Sequence, residues 1–267
     1  MGTDVRQPLL RRRASRPQLE RDPLGGAPKY LVTLLCLIHG STQNAQCWQW
    51  LSPLLSRAGF RCLPVDLHAT GTDQPLTRFT TAIVDSLETV AGEPVVLVGH
   101  SIAGLLLRLV AGRRPIAGLV YLAAAIPKPG CSFRDRVREE PDMFNSRWVQ
   151  AGPRWADPAD HPALAAEFLF HDCPPELLRQ ALKTVKVLDV TAMIAEAHPR
   201  EPLPSIPSSY VVCSRDRTLN PTWSRRAARA ELGVQPVEIS AGHCPHVCQP
   251  HALAGLLASE VRRLTSA

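Results

Sequence analysis

Pro94-Val95-Val96-Leu97-Val98-Gly99-His100-Ser101-Ile102-Ala103-Gly104-Leu105-Leu106-Leu107-Arg108-Leu109 is the stretch that decides how this chain folds. Pro94–Val98 reads as a buried strand, and Gly104–Leu109 continues a helix-like run. Between them lies a very tight turn with Ser101 at its apex. Such a corner holds the serine at positive φ, so its flanking backbone runs close on both sides. The residues two before and two after must then be small, and they are Gly99 and Ala103. The turn lifts the hydroxyl above the sheet edge, with the N-terminus of the next helix behind it. Backbone N–H groups there favour developing negative charge. A strand–turn–helix unit of this kind is a nucleophile elbow.

The same rhythm extends outward. Tyr30–Ile38 is a continuous apolar run ending at His39-Gly40, a strand followed by a turn. Trp48–Ala58 has helical spacing, Phe60–Val65 reads as a strand ending at Asp66, and Thr77–Val90 as a helix. Downstream, Leu119–Ala125 is another buried strand. Short apolar strands alternating with helices predict an α/β fold with a doubly wound, mostly parallel sheet. Between about Ile126 and Pro207 the apolar strands vanish, and Pro, Trp and charged residues rise. Pro162–Phe170 and Pro175–Val187 read as helices, each with a proline suited to a first turn. The strand rhythm returns at Ser209–Cys213, a helix near Trp223–Leu232, Val237–Ser240 and a last helix over Pro250–Leu264. We therefore expect an Arg-rich, disordered tail over 1–28, an α/β core over 29–126 and 207–267, and an inserted helical cap over 127–206.

A serine hydroxyl is a poor nucleophile at neutral pH and needs a histidine to take its proton, and that histidine needs a carboxylate to fix its tautomer. In this topology the three occur in the order Ser, acid, His, each just after a strand at one sheet edge. Asp216 follows Tyr210–Cys213 by three residues, and His243 follows Val237–Ser240 within Ala241-Gly242-His243. His246 and His251 are rivals to His243, Asp189 is a weaker rival to Asp216, and Asp216 also reads as a loop acid paired with its flanking arginines. Two preorganised N–H donors should meet the charge formed during acyl transfer. One is the amide of Ile102, and the other is the amide of Ser41 in the turn after the first strand. His39 is expected to order that turn through hydrogen bonds. Trp48, His100, Phe144 and Trp148 are expected to shape or line the substrate pocket.

Composition narrows the remaining classes. The 267-residue chain is 45% hydrophobic, and no apolar stretch approaches the roughly 20 residues of a membrane span. The first thirty residues lack the apolar core of a secretory signal, so a cytoplasmic protein is expected. Of the net charge of +6, residues 1–30 carry seven basic and three acidic side chains, which leaves the body near neutral and argues against a nucleic-acid partner. A solvated leader and a membrane-surface or partner-binding arm both remain open for the tail. The eight cysteines are even in number, which invites disulfides, but the chain is no short secreted scaffold. Cys36 and Cys213, within apolar strand-like runs, are expected to behave as free, small hydrophobes. His243, Cys244, His246, Cys248 and His251 form the one metal-like grouping, and their spacing fits no standard zinc knuckle. No metal or cofactor is expected. Arginine (26) far outnumbers lysine (4), which with the Ala and Pro content suggests a GC-rich bacterial genome.

With these residues in place, the chain from about Leu34 to Leu257 resembles the serine α/β-hydrolases. It is most similar to the small branch of plant methyl-ester hydrolases, hydroxynitrile lyases and bacterial esterases. The resemblance rests on Leu37-Ile38-His39-Gly40 followed by Cys47-Trp48, on Gly99-His100-Ser101, on Tyr121–Pro127, on Tyr210–Asp216 and on Gly242-His243. It implies a Ser101–His243–Asp216 triad under a helical lid and a small-molecule ester as substrate. Hydroxynitrile lyases of this branch replace the glycine after the first-strand histidine with threonine and place a lysine near the catalytic acid and histidine. Gly40 and the absence of lysine around Asp216 and His243 depart from both features and favour a hydrolase. The expected reaction is cleavage of a carboxylic ester, thioester or lactone of a small, largely apolar substrate through an acyl-serine. A lyase or cyclase reusing the pocket, and a silent ligand-binding descendant, are the alternatives. Oligomeric state, monomer or homodimer, is left open.

Overall fold

The computed structural model describes residues 32–70, 75–90, 92–152, 154, 161–200 and 205–266. The expected tail, Tyr30 and Trp155 lie outside the described residues. Among the described residues, six strands build one sheet: β1 (Leu34–Ile38), β2 (Arg61–Val65), β3 (Val95–His100), β4 (Gly118–Leu122), β5 (Ser208–Cys213) and β6 (Val237–Ile239). Their order is β2-β1-β3-β4-β5-β6, and every neighbouring pair is parallel. Parallel neighbours need crossovers, and helices supply them. They are α1 (Ser52–Arg57), α2 (Leu76–Glu88) and α3 (Gly104–Ala111). Five more run between β4 and β5: α4 (Phe133–Glu139), α5 (Ser146–Ala151), α6 (Pro162–Leu169), α7 (Pro175–Leu182) and α8 (Thr191–Ala195). α9 (Pro221–Leu232) joins β5 to β6, and α10 (Pro245–Cys248) and α11 (Pro250–Thr265) follow.

The central strands β1, β3 and β4 are buried along their whole length because both faces of the sheet are covered, whereas the edge strands β2 and β6 are partly exposed. Alternation along β1 sends Leu34, Cys36 and Ile38 into one layer and Leu35 and Leu37 into the other. The first layer is closed by Phe79 and Ile83 of α2, Leu107 of α3 and Trp223 of α9. The second is closed by Leu55 of α1 and by Leu257 and Val261 of α11. Each such side chain contributes roughly 1.5–3 kcal/mol on burial.

Two expected helices came out shorter. The Trp48–Ala58 helix is instead a 3-10 turn over Ala45–Trp48, capped by Asn44, and a separate α1. Pro53 sits in the first turn of α1, the one place where its missing N–H costs nothing. α7 stops at Leu182 rather than Val187 because the chain beyond it turns to the β1–α1 loop. There Lys186 N–H donates to Thr42 O and Leu188 N–H to Ser41 O. Cys36 and Cys213 are free and buried, as their apolar surroundings in sequence predict, but a disulfide also forms. Cys173 and Cys248 form a disulfide with an S–S distance of 2.06 Å, while Cys36, Cys47, Cys62, Cys131, Cys213 and Cys244 are free.

Candidate active site

Ser101 leaves β3 at φ 56°, the left-handed corner the sequence requires, and enters a 3-10 turn that leads into α3. Close packing explains the small residues around it. A Cβ on Gly99 would lie 2.8 Å from Leu107 Cδ2, and one on Gly40 would lie 2.9 Å from Ser101 Cβ. Gly104 is tighter still, since its Cβ would stand 2.0 Å from Ala125 O. The sequence reading missed that contact, and a glycine opening an otherwise leucine-rich helix was its only signal.

Three loops from three strand ends meet at this corner. His243 Nε2 lies 3.1 Å from Ser101 Oγ, and His243 Nδ1 lies 2.7 Å from Asp216 Oδ2. The other oxygen, Asp216 Oδ1, accepts the N–H groups of Thr218 (2.7 Å) and Leu219 (3.0 Å). The carboxylate is thereby locked in orientation. The histidine and aspartate side chains are each only 3% exposed, so water competes little for these bonds. Rivals fall away on geometry. His246 is buried with Nε2 on Gln43 Oε1 (3.0 Å), and Asp189 accepts Thr191 N–H at the start of α8. Burial pushes the Cys213 and Cys244 thiols well above their ordinary value and Cys36 up to about 12, so none is a competing nucleophile.

A cavity of about 450 Å³ opens over Ser101. Ser41, Ile102 and His243 face it at the reactive end, and Phe133, Val137, Phe144, Trp148, Leu169 and Leu219 make an apolar wall. Phe144 and Trp148 are thus where the sequence reading expected them. Trp48 and His100 do not line the cavity, contrary to the expectation that they form part of the pocket wall. Trp48 is fully buried against the His246 ring (4.5 Å between centroids). His100 is fully buried too, and its Nε2–H donates to His243 O at 2.9 Å, so it braces the catalytic loop from behind. Both were drawn inward by neighbours that lie far away in sequence. The sequence reading also overlooked Tyr210, His171 and Asp172, all of which hold loops of this site.

His39 Nε2 accepts Leu67 N–H at 3.0 Å, which leaves Nδ1–H to donate to Gly40 O at 2.8 Å. Both ring nitrogens thus order the loop that carries Ser41. Among the described residues, His39, Asp66 and His68 make the one grouping with metal-like spacing. Holding an ion there would break the His39–Leu67 bond. In the His243, Cys244, His246, Cys248 and His251 run, Cys248 is oxidised with Cys173 and His243 is engaged by Asp216.

A serine at a strained strand–helix corner, a buried His–Asp pair beyond it and an apolar cavity above define the arrangement found in serine hydrolases of the α/β class. A family model described as "Alpha/beta hydrolase family" matches residues 35–256, and the chain belongs to that family. It is 29% identical to salicylic acid-binding protein 2 of Nicotiana tabacum, over 83% of this chain and 94% of that protein. It is 27% identical to methylesterase 3 of Arabidopsis thaliana, over 83% and 93% of the two chains. Among solved structures, polyneuridine aldehyde esterase superposes with a TM-score of 0.69 at 22% identity, covering 85% of this chain and 98% of that one. These curated relatives are plant proteins, which gives no support to the bacterial origin suggested by the arginine bias. No described helix is long and apolar enough to cross a membrane.

Proposed function

We propose that this protein is a carboxylic-ester hydrolase that works through an acyl-serine at Ser101. The observation that carries this reading is the Ser101–His243–Asp216 hydrogen-bond chain at the reactive end of an apolar cavity. Its curated relatives include named methylesterases and esterases, which supports the same chemistry. His243 Nε2 takes the Oγ proton as Oγ attacks the ester carbonyl. Asp216 holds the proton on Nδ1 and stabilises the imidazolium. The backbone N–H groups of Ser41 and Ile102 receive the oxyanion. His243 then returns its proton to the departing alcohol, and water hydrolyses the acyl-serine with the roles reversed.

Among the described residues, those between β4 and β5 act as a cap over the core built by the rest of the sheet and its helices. The cap's Phe133, Phe144 and Trp148 select a small, largely apolar acyl or alcohol group. The cytoplasm remains the expected compartment, and the Cys173–Cys248 disulfide is the observation that speaks against it, since such bonds are rare where thiols are kept reduced. Labelling with a fluorophosphonate probe, followed by peptide mass spectrometry, tests the reading. One adduct on Ser101, greatly slowed in His243→Ala, is expected together with turnover of small activated esters in water labelled with heavy oxygen. Substrate loss without oxygen uptake would favour the lyase alternative, and a folded protein inert to both reagents would overturn the hydrolase reading.

A further inference from the structure

The turn His171-Asp172-Cys173, between α6 and α7, grips the residue immediately before each member of the acid–base pair. His171 Nε2–H donates to the carbonyl of Arg215, the neighbour of Asp216, at 2.8 Å. Asp172 Oδ2 accepts the N–H of Gly242, the neighbour of His243, at 2.8 Å. The same oxygen accepts Gln249 Nε2–H at 2.9 Å, and that amide group also donates to Ser240 O at 3.0 Å. The Arg215 guanidinium lies 3.6 Å from Asp172 Oδ2 and donates to Ser240 O at 2.6 Å. The next residue, Cys173, is covalently bound to Cys248, five residues beyond His243.

The approach is close enough to dictate a residue type. A Cβ on Gly242 would fall 2.7 Å from Asp172 Oδ1 and 2.8 Å from His171 Nε2. The Asp172 side chain is only 3% exposed. A buried carboxylate is costly unless its charge is met by donors. Oδ2 meets them in Gly242 and Gln249, on either side of His243, with the Arg215 guanidinium from the Asp216 loop beside it, while Oδ1 has no hydrogen-bond partner. Asp172 forms no hydrogen bond with Ser101 or with the His243 ring, and it does not line the cavity.

We propose that Asp172 is a positioning residue for the His243–Asp216 pair, fastened by the Cys173–Cys248 bond so that the cap and both catalytic loops keep one register. The proposal rests on the hydrolase reading above for its kinetic consequence. Proton transfer needs His243 Nε2 within hydrogen-bond reach of Ser101 Oγ. A loop free to shift by about 1 Å loses on the order of 100-fold in rate.

The test compares Asp172→Ala, Asp172→Asn and the double variant Cys173→Ser/Cys248→Ser by thermal melting, by kcat and KM on an ester turned over by the wild type, and by the low-field proton resonance of the His243–Asp216 hydrogen bond. For Asp172→Ala, kcat is expected to fall about 10- to 100-fold while KM changes by less than about threefold, because orientation and not substrate binding is lost. The low-field resonance should broaden or vanish in parallel. Asp172→Asn keeps an acceptor for Gly242 N–H and should recover most of both signals, and the double cysteine variant should lose part of both. Wild-type kcat and an unchanged resonance in folded Asp172→Ala would overturn the proposal. If that variant does not fold, wild-type behaviour of both Asp172→Asn and the cysteine pair, or equal loss of kcat and binding in them, does the same. Should the wild type hydrolyse no ester, the hydrolase reading fails, and the resonance, which needs no substrate, still decides the positioning role.

Discussion

Tyr210 Oη bridges the two peptide groups that flank one residue, donating to Ala124 O at 2.7 Å and accepting Ala124 N–H at 3.1 Å. The ring stands on β5 and Ala124 lies just past β4, next to Ala123 at φ 42°, a conformation few alanines adopt. One residue further on, Ala125 N–H donates to Ser101 O at 2.9 Å. A hydroxyl on a neighbouring strand thus holds the strained turn that supports the elbow. Tyr210→Phe should cost about 1–3 kcal/mol, the penalty of leaving buried peptide groups without a partner. Urea unfolding measures it, and an unchanged midpoint would show that the turn holds itself.

Substitutions within the Ser101–His243–Asp216 chain should separate role from stability. Ser101→Ala and His243→Ala should each lower kcat by about 10⁴-fold or more, and Asp216→Asn by about 10⁴-fold through loss of the productive tautomer. Melting temperatures should stay near the wild type for Ser101→Ala. Substantial residual turnover in that variant, freed of contaminating esterase, would remove Ser101 from the mechanism.

Two glycines should respond with opposite sign to the same change. Gly104→Ala places a Cβ 2.0 Å from Ala125 O, against backbone that cannot yield without moving Ser101's neighbour. A loss of at least about 1–3 kcal/mol is expected, with activity falling as well. Gly255 lies exposed within α11, and a methyl group added there would meet nothing within 4 Å. Gly255→Ala should gain about 0.5–1 kcal/mol by restricting the unfolded chain and favouring the helix. Chemical denaturation of the pair checks both signs at once.

Stability should fall as the solution is acidified below neutrality. Burial depresses His198 to about 4 and His246 to about 3 from an ordinary value of 6.5, and His100 is held well below that value by the same cause. Above 6.5 these rings are neutral whether folded or not and contribute no pH dependence. Between 6.5 and about 4 the unfolded chain takes up protons that the folded chain refuses. Each histidine then removes up to about 1.4 kcal/mol per pH unit. Unfolding free energies measured from pH 7.5 to 5 in the wild type and in His198→Asn should differ in slope by about that amount. Parallel curves would mean that His198 is solvated in the folded protein.

Trp148 meets Phe168 edge to face, with centroids 5.4 Å apart, where it forms part of the cavity wall. Trp148→Ala should enlarge the cavity and raise the ratio of kcat/KM for a long-chain ester over an acetate ester by about tenfold, the worth of a methylene or two of apolar contact. A ratio that does not move would place the substrate elsewhere along the cavity.

The elbow was legible because its constraints are local. A buried strand, a positive-φ corner and a helix start all fall within Pro94–Leu109, and the glycine and alanine that such a corner needs lie two residues to either side. Asp216 and His243 were legible because each follows a short apolar strand in the order this topology demands. Trp48 and His100 misled because a polar or aromatic residue near a motif looks the same in sequence whether it faces a cavity or the core. Their neighbours, His246 and the His243 carbonyl, lie about 200 and 143 residues away.

The amino-acid order therefore determined, by itself, the alternation that makes a parallel sheet, the corner that presents Ser101 and the candidates for its acid and base. Those features follow from backbone sterics and apolar periodicity, which act over a few residues. Only the tertiary structure decided which side chains line the cavity, which thiols pair, and how Asp172 and Tyr210 hold loops distant in sequence. Such contacts depend on how separate elements pack, and a hydrogen bond between residues 70 or 86 positions apart leaves no periodic trace along the chain.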